Sequence, residues 1–235
     1  MKQFFWKNKT VLAVNAHPDD LHFMAGATLA KASQEGARVY CAVFTNGNKG
    51  NAGNRKLRSS QLVTVRRKEQ LRAAKVLGVA KVFFFGYPDC ELTPTMTAKK
   101  KLVRLIRRLK PDTVIGLDPS RYYSPLQNMV HHADHRAAGE ITLDACYPLC
   151  RDRLCMPDAG PPHNIPYVFL VTLDDANYFE NITKTLDTKI QALSAHKSQI
   201  ADMQQMPRFV RRWAAQCGKK SKKYRFAESF RRISF

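Results

Sequence analysis

Strand-like runs that alternate with helix-spaced stretches limit what this chain can fold into more than any other feature. The runs TVLAVNA (10–16), RVYCAVFT (38–45), KVFFFG (81–86), DTVIGLD (112–118) and YVFLVTL (167–173) are rich in β-branched and aromatic residues. Between them, FMAGATLAKASQEG, LVTVRRKEQLRAAKVLG, TAKKKLVRLIRRLK and DHRAAGEITLDACY carry helical spacing. Gly36 and Gly78 close two of these helices, and Lys110–Pro111 closes a third. The alternation predicts an α/β fold: a Rossmann-like three-layer sandwich with a mostly parallel central sheet. A length of 235 residues suits one domain over 1–235, with a basic C-terminal segment from about 207 onward.

In such sheets ligands gather beyond the carboxyl ends of the strands. The polar clusters obey that rule: HPDD follows the first run, NGNKGNAGN the second, YPDCEL the third and DPSRYYSPLQNMVHHADH the fourth. No GxGxxG follows the first run, so a dinucleotide is not expected. His17, Asp19 and Asp20 stand together at the first exit, where neighbouring acids must project in different directions. One can therefore hold a metal while the other faces elsewhere. His132 and His135, three apart at the start of a helix, share a face. Two histidines and one aspartate are an acceptable zinc set with a position left open for chemistry. The plainer alternative is a capped polar turn beside surface histidines.

Lys and Arg number 39 against 19 Asp and Glu, a formal charge of +20. Such a field draws in anions. Ten of the basic residues lie between Pro207 and Phe235 with a single acid, Glu228. A solvated helix and tail is the expectation for that segment, ahead of a dedicated nucleic-acid site. Six cysteines without a CxxC pair, and an opening unlike a signal peptide, predict a reduced, cytoplasmic setting. Cys146, Cys150, Cys155 and His163 match no common zinc spacing. No apolar run approaches the roughly 20 residues of a transmembrane helix.

These motifs, with GATLAK, FTNGNKG, RRKEQLRAAKVLGV, FFFGYPDCEL, LIRRLKPDTVIGLDP, HHADHRAAGE, DTKIQALSAHKSQ and FAESFR, resemble the LmbE-like, or PIG-L, family of metal-dependent N-acetylglucosaminyl deacetylases. The likeness covers almost the whole chain, and HPDD followed by HxDHRxxG is specific. The resemblance implies His17, Asp20 and His135 as ligands of Zn2+, or of Fe2+, which the same donors accept. It implies Asp19 as the general base toward the activated water. His132, oriented by Asp134, would assist the tetrahedral intermediate or protonate the departing amine. Arg66 and Asp89 look like groups that grip sugar hydroxyls or a phosphate. Tyr123 and Asn128, with Arg121 and Tyr122, lie in a long loop suited to a wall or lid. Two departures from the family stand out: Leu21 and His22 occupy the positions after the second Asp where many relatives carry a Glu at one or the other, and Asn181 stands where they commonly place an acid.

The expected function is removal of the N-acetyl group from a GlcNAc-containing small molecule, an amino-sugar conjugate that the positive charge favours as anionic. The alternatives are an amidase acting on another small molecule, such as a thiol-cofactor conjugate, and a basic polyanion-binding protein with a vestigial site. Apolar residues in CYPLCRDRLCMPDAGPPHNIP offer a candidate homo-oligomer interface.

Overall fold

All five β-rich runs form strands in the computed structural model, which describes residues 3–50, 57–126 and 128–235. The first half of the chain runs β1 (Thr10–Asn15), α1 (Asp20–Gln34), β2 (Arg38–Thr45), α2 (Ser59–Val76), β3 (Lys81–Tyr87), α3 (Met96–Leu109) and β4 (Thr113–Leu117). A short hairpin follows, β5 (Tyr123–Ser124) and β6 (Met129–Val130), and leads into α4 (Ala133–Asp144). The remainder is β7 (Tyr167–Val171), β8 (Tyr178–Asn181), α5 (Leu186–Leu193), α6 (Met206–Ser221) and β9 (Ala227–Ser234). Residues 51–54 of the polar cluster after β2, and Gln127 in the hairpin, lie outside the described residues.

Seven of these strands form one sheet in the order β3-β2-β1-β4-β7-β9-β8, and β5 pairs only with β6. From β3 to β7 every pairing is parallel. Helices α1, α2, α5 and α6 pack side by side on one face, and α3 and α4 pack together on the other. The chain winds outward from β1 to β3 and then returns to place β4 on the other side of β1. That reversal opens a crevice beyond the carboxyl ends of β1 and β4. HPDD leaves β1 at this crevice, and the β5–β6 hairpin carries the chain from β4 to HHADH.

The basic C-terminal segment departs from the expected solvated helix and tail. Strand β9 lies inside the sheet, antiparallel to both β7 and β8. Its first half is buried, with Phe230 fully enclosed, while the basic Arg231 reaches solvent. Glu228, the one acid there, is buried and accepts from Lys189 Nζ (2.7 Å) and from the amides of Ala27 and Thr28 in α1. Basic composition hid a short strand whose first half is buried and whose arginines lie in the less buried second half.

Close approach of α4 to β4 sets the second half of the crevice. A Cβ on Gly139 would meet the Leu117 carbonyl oxygen at 2.5 Å, so only glycine permits this seat. On the same face, Arg107 binds the carbonyls of Leu149, Cys150, Asp152, Met156 and Gly160 and so ties down the Pro-rich loop after α4. Cys150 donates to the carbonyls of Cys146 and His163, and the four residues weighed as a zinc set form no metal group among the described residues.

Candidate metal centre and active site

The turn that follows β1 separates the two adjacent acids. Asp20 opens α1, and its Oδ2 accepts the His17 amide at 2.7 Å, which fixes the carboxylate. Asp19 has φ 118, a backbone state that L residues rarely adopt, at a typical cost of about 1–3 kcal/mol. Its amide donates to Gln70 Oε1 (3.1 Å), its carbonyl accepts from the His22 and Phe23 amides, and its Oδ1 accepts from Arg66 Nη2 at 3.3 Å. These contacts hold the strained residue in place and turn its carboxylate away from that of Asp20.

On the facing side His132 caps α4, its Nδ1 accepting the Asp134 amide at 3.1 Å. His135 lies within the first turn, and three donor atoms then converge. His17 Nδ1 is 3.2 Å from His135 Nε2 and 3.5 Å from Asp20 Oδ1, and His135 Nε2 is 3.0 Å from the same oxygen. Bonds of about 2.0–2.1 Å at tetrahedral angles give ligand–ligand edges of about 3.3 Å. His17, Asp20 and His135 therefore fit a tetrahedral divalent ion by spacing as well as by donor type, with one face left open.

The second nitrogen of His17 is equally well defined. Nε2 lies 3.0 Å from Asp134 Oδ2 and 3.0 Å from Asp89 Oδ1. Burial alone would lower the His17 pKa, but the charge of Asp20 and hydrogen bonds to Asp134, Asp20 and Asp89 outweigh it and push the ring up to about 12. A proton at Nε2, shared between two carboxylates, leaves the Nδ1 lone pair for a cation and makes the ring a stronger donor. Burial would raise Asp20, yet the charges of His135 and His17 hold it well below the usual carboxylate range. Asp19 behaves in the opposite way: burial pushes it up to about 7, with the Asp20 charge adding to the rise and Arg66 pulling against it. Burial and the neighbouring His17 and His135 lower His132, so its ring is neutral and carries its proton on Nε2.

The remaining candidate residues are held largely by backbone groups. Asp134 meets His132 through its backbone amide, and its carboxylate accepts from His17 and from the Cys90 and Leu92 amides. Arg66 is buried rather than open to a sugar or phosphate, its Nη1 bound to Gly47 O (3.0 Å) and its Nη2 to Pro18 O (2.9 Å). The loop after β2 closes on it so tightly that a Cβ on Gly47 would lie 2.6 Å from the guanidinium. Asp89 is also buried, its Oδ2 accepting the Lys49 and Gly50 amides while Oδ1 faces His17. Both residues are held against the centre by these contacts. Tyr123 and Asn128 lie on the exposed hairpin beside Tyr122, over whose ring Arg136 rests at 4.4 Å.

Sequence reading missed a buried chain behind Asp19. His22 Nδ1 is 2.8 Å from His196 Nε2, and His22 Nε2 is 3.5 Å from Gln70 Nε2. The AHKSQ stretch after α5 also anchors Ser198 to Glu69 and Gln199 to Gly50. The only signal was polar residues clustered in a stretch already quoted for its resemblance.

Fold and site together define a sheet-edge centre at a switch point, with a His–Asp–His group that could hold a divalent ion. The chain belongs to the PIG-L family: residues 12–146 match the sequence profile described as GlcNAc-PI de-N-acetylase. It is 30% identical over 228 residues to diacetylchitobiose deacetylase of Thermococcus kodakarensis, covering 95% of this chain and 82% of the relative. The solved N,N'-diacetylchitobiose deacetylase of Pyrococcus horikoshii, bound to an inhibitor, superposes with a TM-score of 0.87 at 28% identity, covering 98% of this chain and 85% of that one. A 4-carboxy-2-hydroxymuconate hydratase from Pseudomonas putida has the same fold, with a TM-score of 0.81 at 20% identity, covering 96% of each chain. Fold alone does not define the reaction. Among the described residues, no helix is long and apolar enough to cross a membrane.

Proposed function

We propose that this chain removes the N-acetyl group from a GlcNAc-containing conjugate, using zinc held by His17, Asp20 and His135. The observation that carries the reading is the three-donor group with one acid beside it at an ionisation suited to a base: Asp19, pushed up to about 7 by burial. A divalent ion in that group supplies Lewis acidity, lowering the pKa of water to about 7 and polarising an amide carbonyl.

Every other part of the reaction belongs to side chains. Ionised Asp19 takes a proton as the water oxygen attacks the acetamide carbonyl carbon. The His132 Nε2–H, fixed there because Nδ1 caps α4, donates a hydrogen bond to the oxygen that gains charge. When the carbon–nitrogen bond breaks, the amine leaves with the proton that Asp19 took, and the acetic acid formed gives its remaining proton to solvent to leave acetate. Asp134 and Asp89 keep the His17 proton on Nε2 throughout. Arg66, bound to Gly47, Pro18 and Asp19, steadies the base.

The similar deacetylases act on diacetylchitobiose, which makes that disaccharide the first substrate to test. Purified protein, stripped by a chelator and reloaded with zinc or ferrous iron, should release primary amine from diacetylchitobiose or another N-acetylglucosaminide only when reloaded. The better metal identifies the working ion. Equal release by the stripped and reloaded protein would rule out the metal-dependent reading.

A further inference from the structure

Behind the base lies a polar chain that the proposed reaction does not use. The Asp19 amide can only donate, so Gln70 must turn Oε1 toward it (3.1 Å). The Gln70 NH2 group then faces His22 Nε2 at 3.5 Å, the long edge of a hydrogen bond, so that nitrogen must carry the lone pair. The His22 proton therefore sits on Nδ1 and is donated to His196 Nε2 at 2.8 Å. This leaves the His196 proton on Nδ1, buried and without a partner. His22, Gln70 and His196 are all fully enclosed. A line of three side chains thus has its proton positions set from one end by the Asp19 amide, and a buried orphan donor is tolerated at the other.

We propose that His22, Gln70 and His196 are positioning residues for Asp19, holding its backbone in the strained state that aims the carboxylate at the attacking water. Asp19 has φ 118, and such a conformation persists only where its surroundings over-determine it. Gln70 is the one side chain on its amide among the described residues, and His22 decides which way round the Gln70 amide sits. The line works only while both imidazoles are neutral, since a proton on His22 Nε2 would confront the Gln70 NH2 group. His22 stands where the family commonly has an acid near the second Asp. In this chain the position serves Asp19 from behind, without touching the ion-binding atoms.

The inference rests on Asp19 being the base, so the test separates the two. His22→Leu is made in the wild-type and Asp19→Asn backgrounds, and kcat, KM and zinc affinity are measured for all four proteins. Positioning through Asp19 predicts that His22→Leu lowers kcat about tenfold in the wild type, with KM and zinc affinity unchanged. It also predicts no further loss in Asp19→Asn, because the two changes act on one link. An unchanged kcat, or an equal loss in both backgrounds, overturns the proposal. If Asp19→Asn keeps wild-type kcat, the base assignment fails first and the positioning falls with it. Should His22→Leu not fold, Gln70→Met keeps the volume, removes both contacts and reads the same link.

Discussion

At the scale of single residues, the two adjacent acids show what pattern can reveal. Neighbours in a turn must diverge, and Asp19 and Asp20 do so because one has a left-handed backbone and the other opens a helix. The convergence of His17 with His135 was legible for the same reason, from spacing on a helix turn. The placements of Arg66 and Asp89 were not. Their partners are loop amides and carbonyls, such as Gly47 O and the Gly50 amide, which no residue-type pattern specifies. Asp134→Asn tests the bracing of His17. Loss of the carboxylate beside His17 Nε2 should weaken zinc binding about 10–100-fold, measured by competition with a chromogenic chelator. Unchanged affinity would mean that the Asp134 contact is incidental.

At the scale of elements, strands and helices with strong periodicity were readable, whereas the hairpin, β8 and β9 were not. β9 reads AESFRRIS, in which the buried half is short and the charges dominate the composition. β5 and β6 contain two residues each, too few for any period to appear. Helix α4 matters most for function, since its first turn carries His132 and His135. Gly139 seats it against the end of β4, where an added Cβ would meet backbone that cannot swing aside. Gly139→Ala should therefore destabilise the fold by about 1–3 kcal/mol and, by lifting α4, weaken zinc binding as well. Thermal unfolding and chelator competition read the two effects. A melt unaltered from wild type would show that the helix has room to spare.

At the scale of the whole molecule, the sheet order places both motifs at one crevice, and buried polar groups link distant parts of the chain to it. The His22–His196 pair joins α1 to the segment after α5 and gives the fold an acid sensitivity. His22 is lowered by burial to about 4 in the folded chain, against 6.5 when unfolded. Between those pH values the unfolded chain binds a proton that the folded one refuses, so stability falls as pH drops through the window. His22 alone accounts for a loss of about 3 kcal/mol by pH 4, and His196 acts in the same direction. Urea denaturation at pH 7 and pH 4.5 should show a steeper loss for wild type than for a His22→Leu, His196→Leu double variant. Equal losses would assign the acid sensitivity to other groups.

The division of labour between Asp20 and Asp19 is the centre of the account, and one comparison addresses it most directly. Amine release from diacetylchitobiose would be followed against pH for wild type and Asp19→Asn, both saturated with zinc, with zinc affinity measured alongside. The wild-type kcat/KM should climb with pH along an acid limb at or below about 7, because Asp19 must be ionised and a bound cation lowers its pKa further. Asp19→Asn should bind zinc almost as well as wild type and lose about 100-fold or more in kcat. A variant that keeps its rate, or that loses rate only in proportion to lost zinc, would contradict the assignment of Asp19 as base.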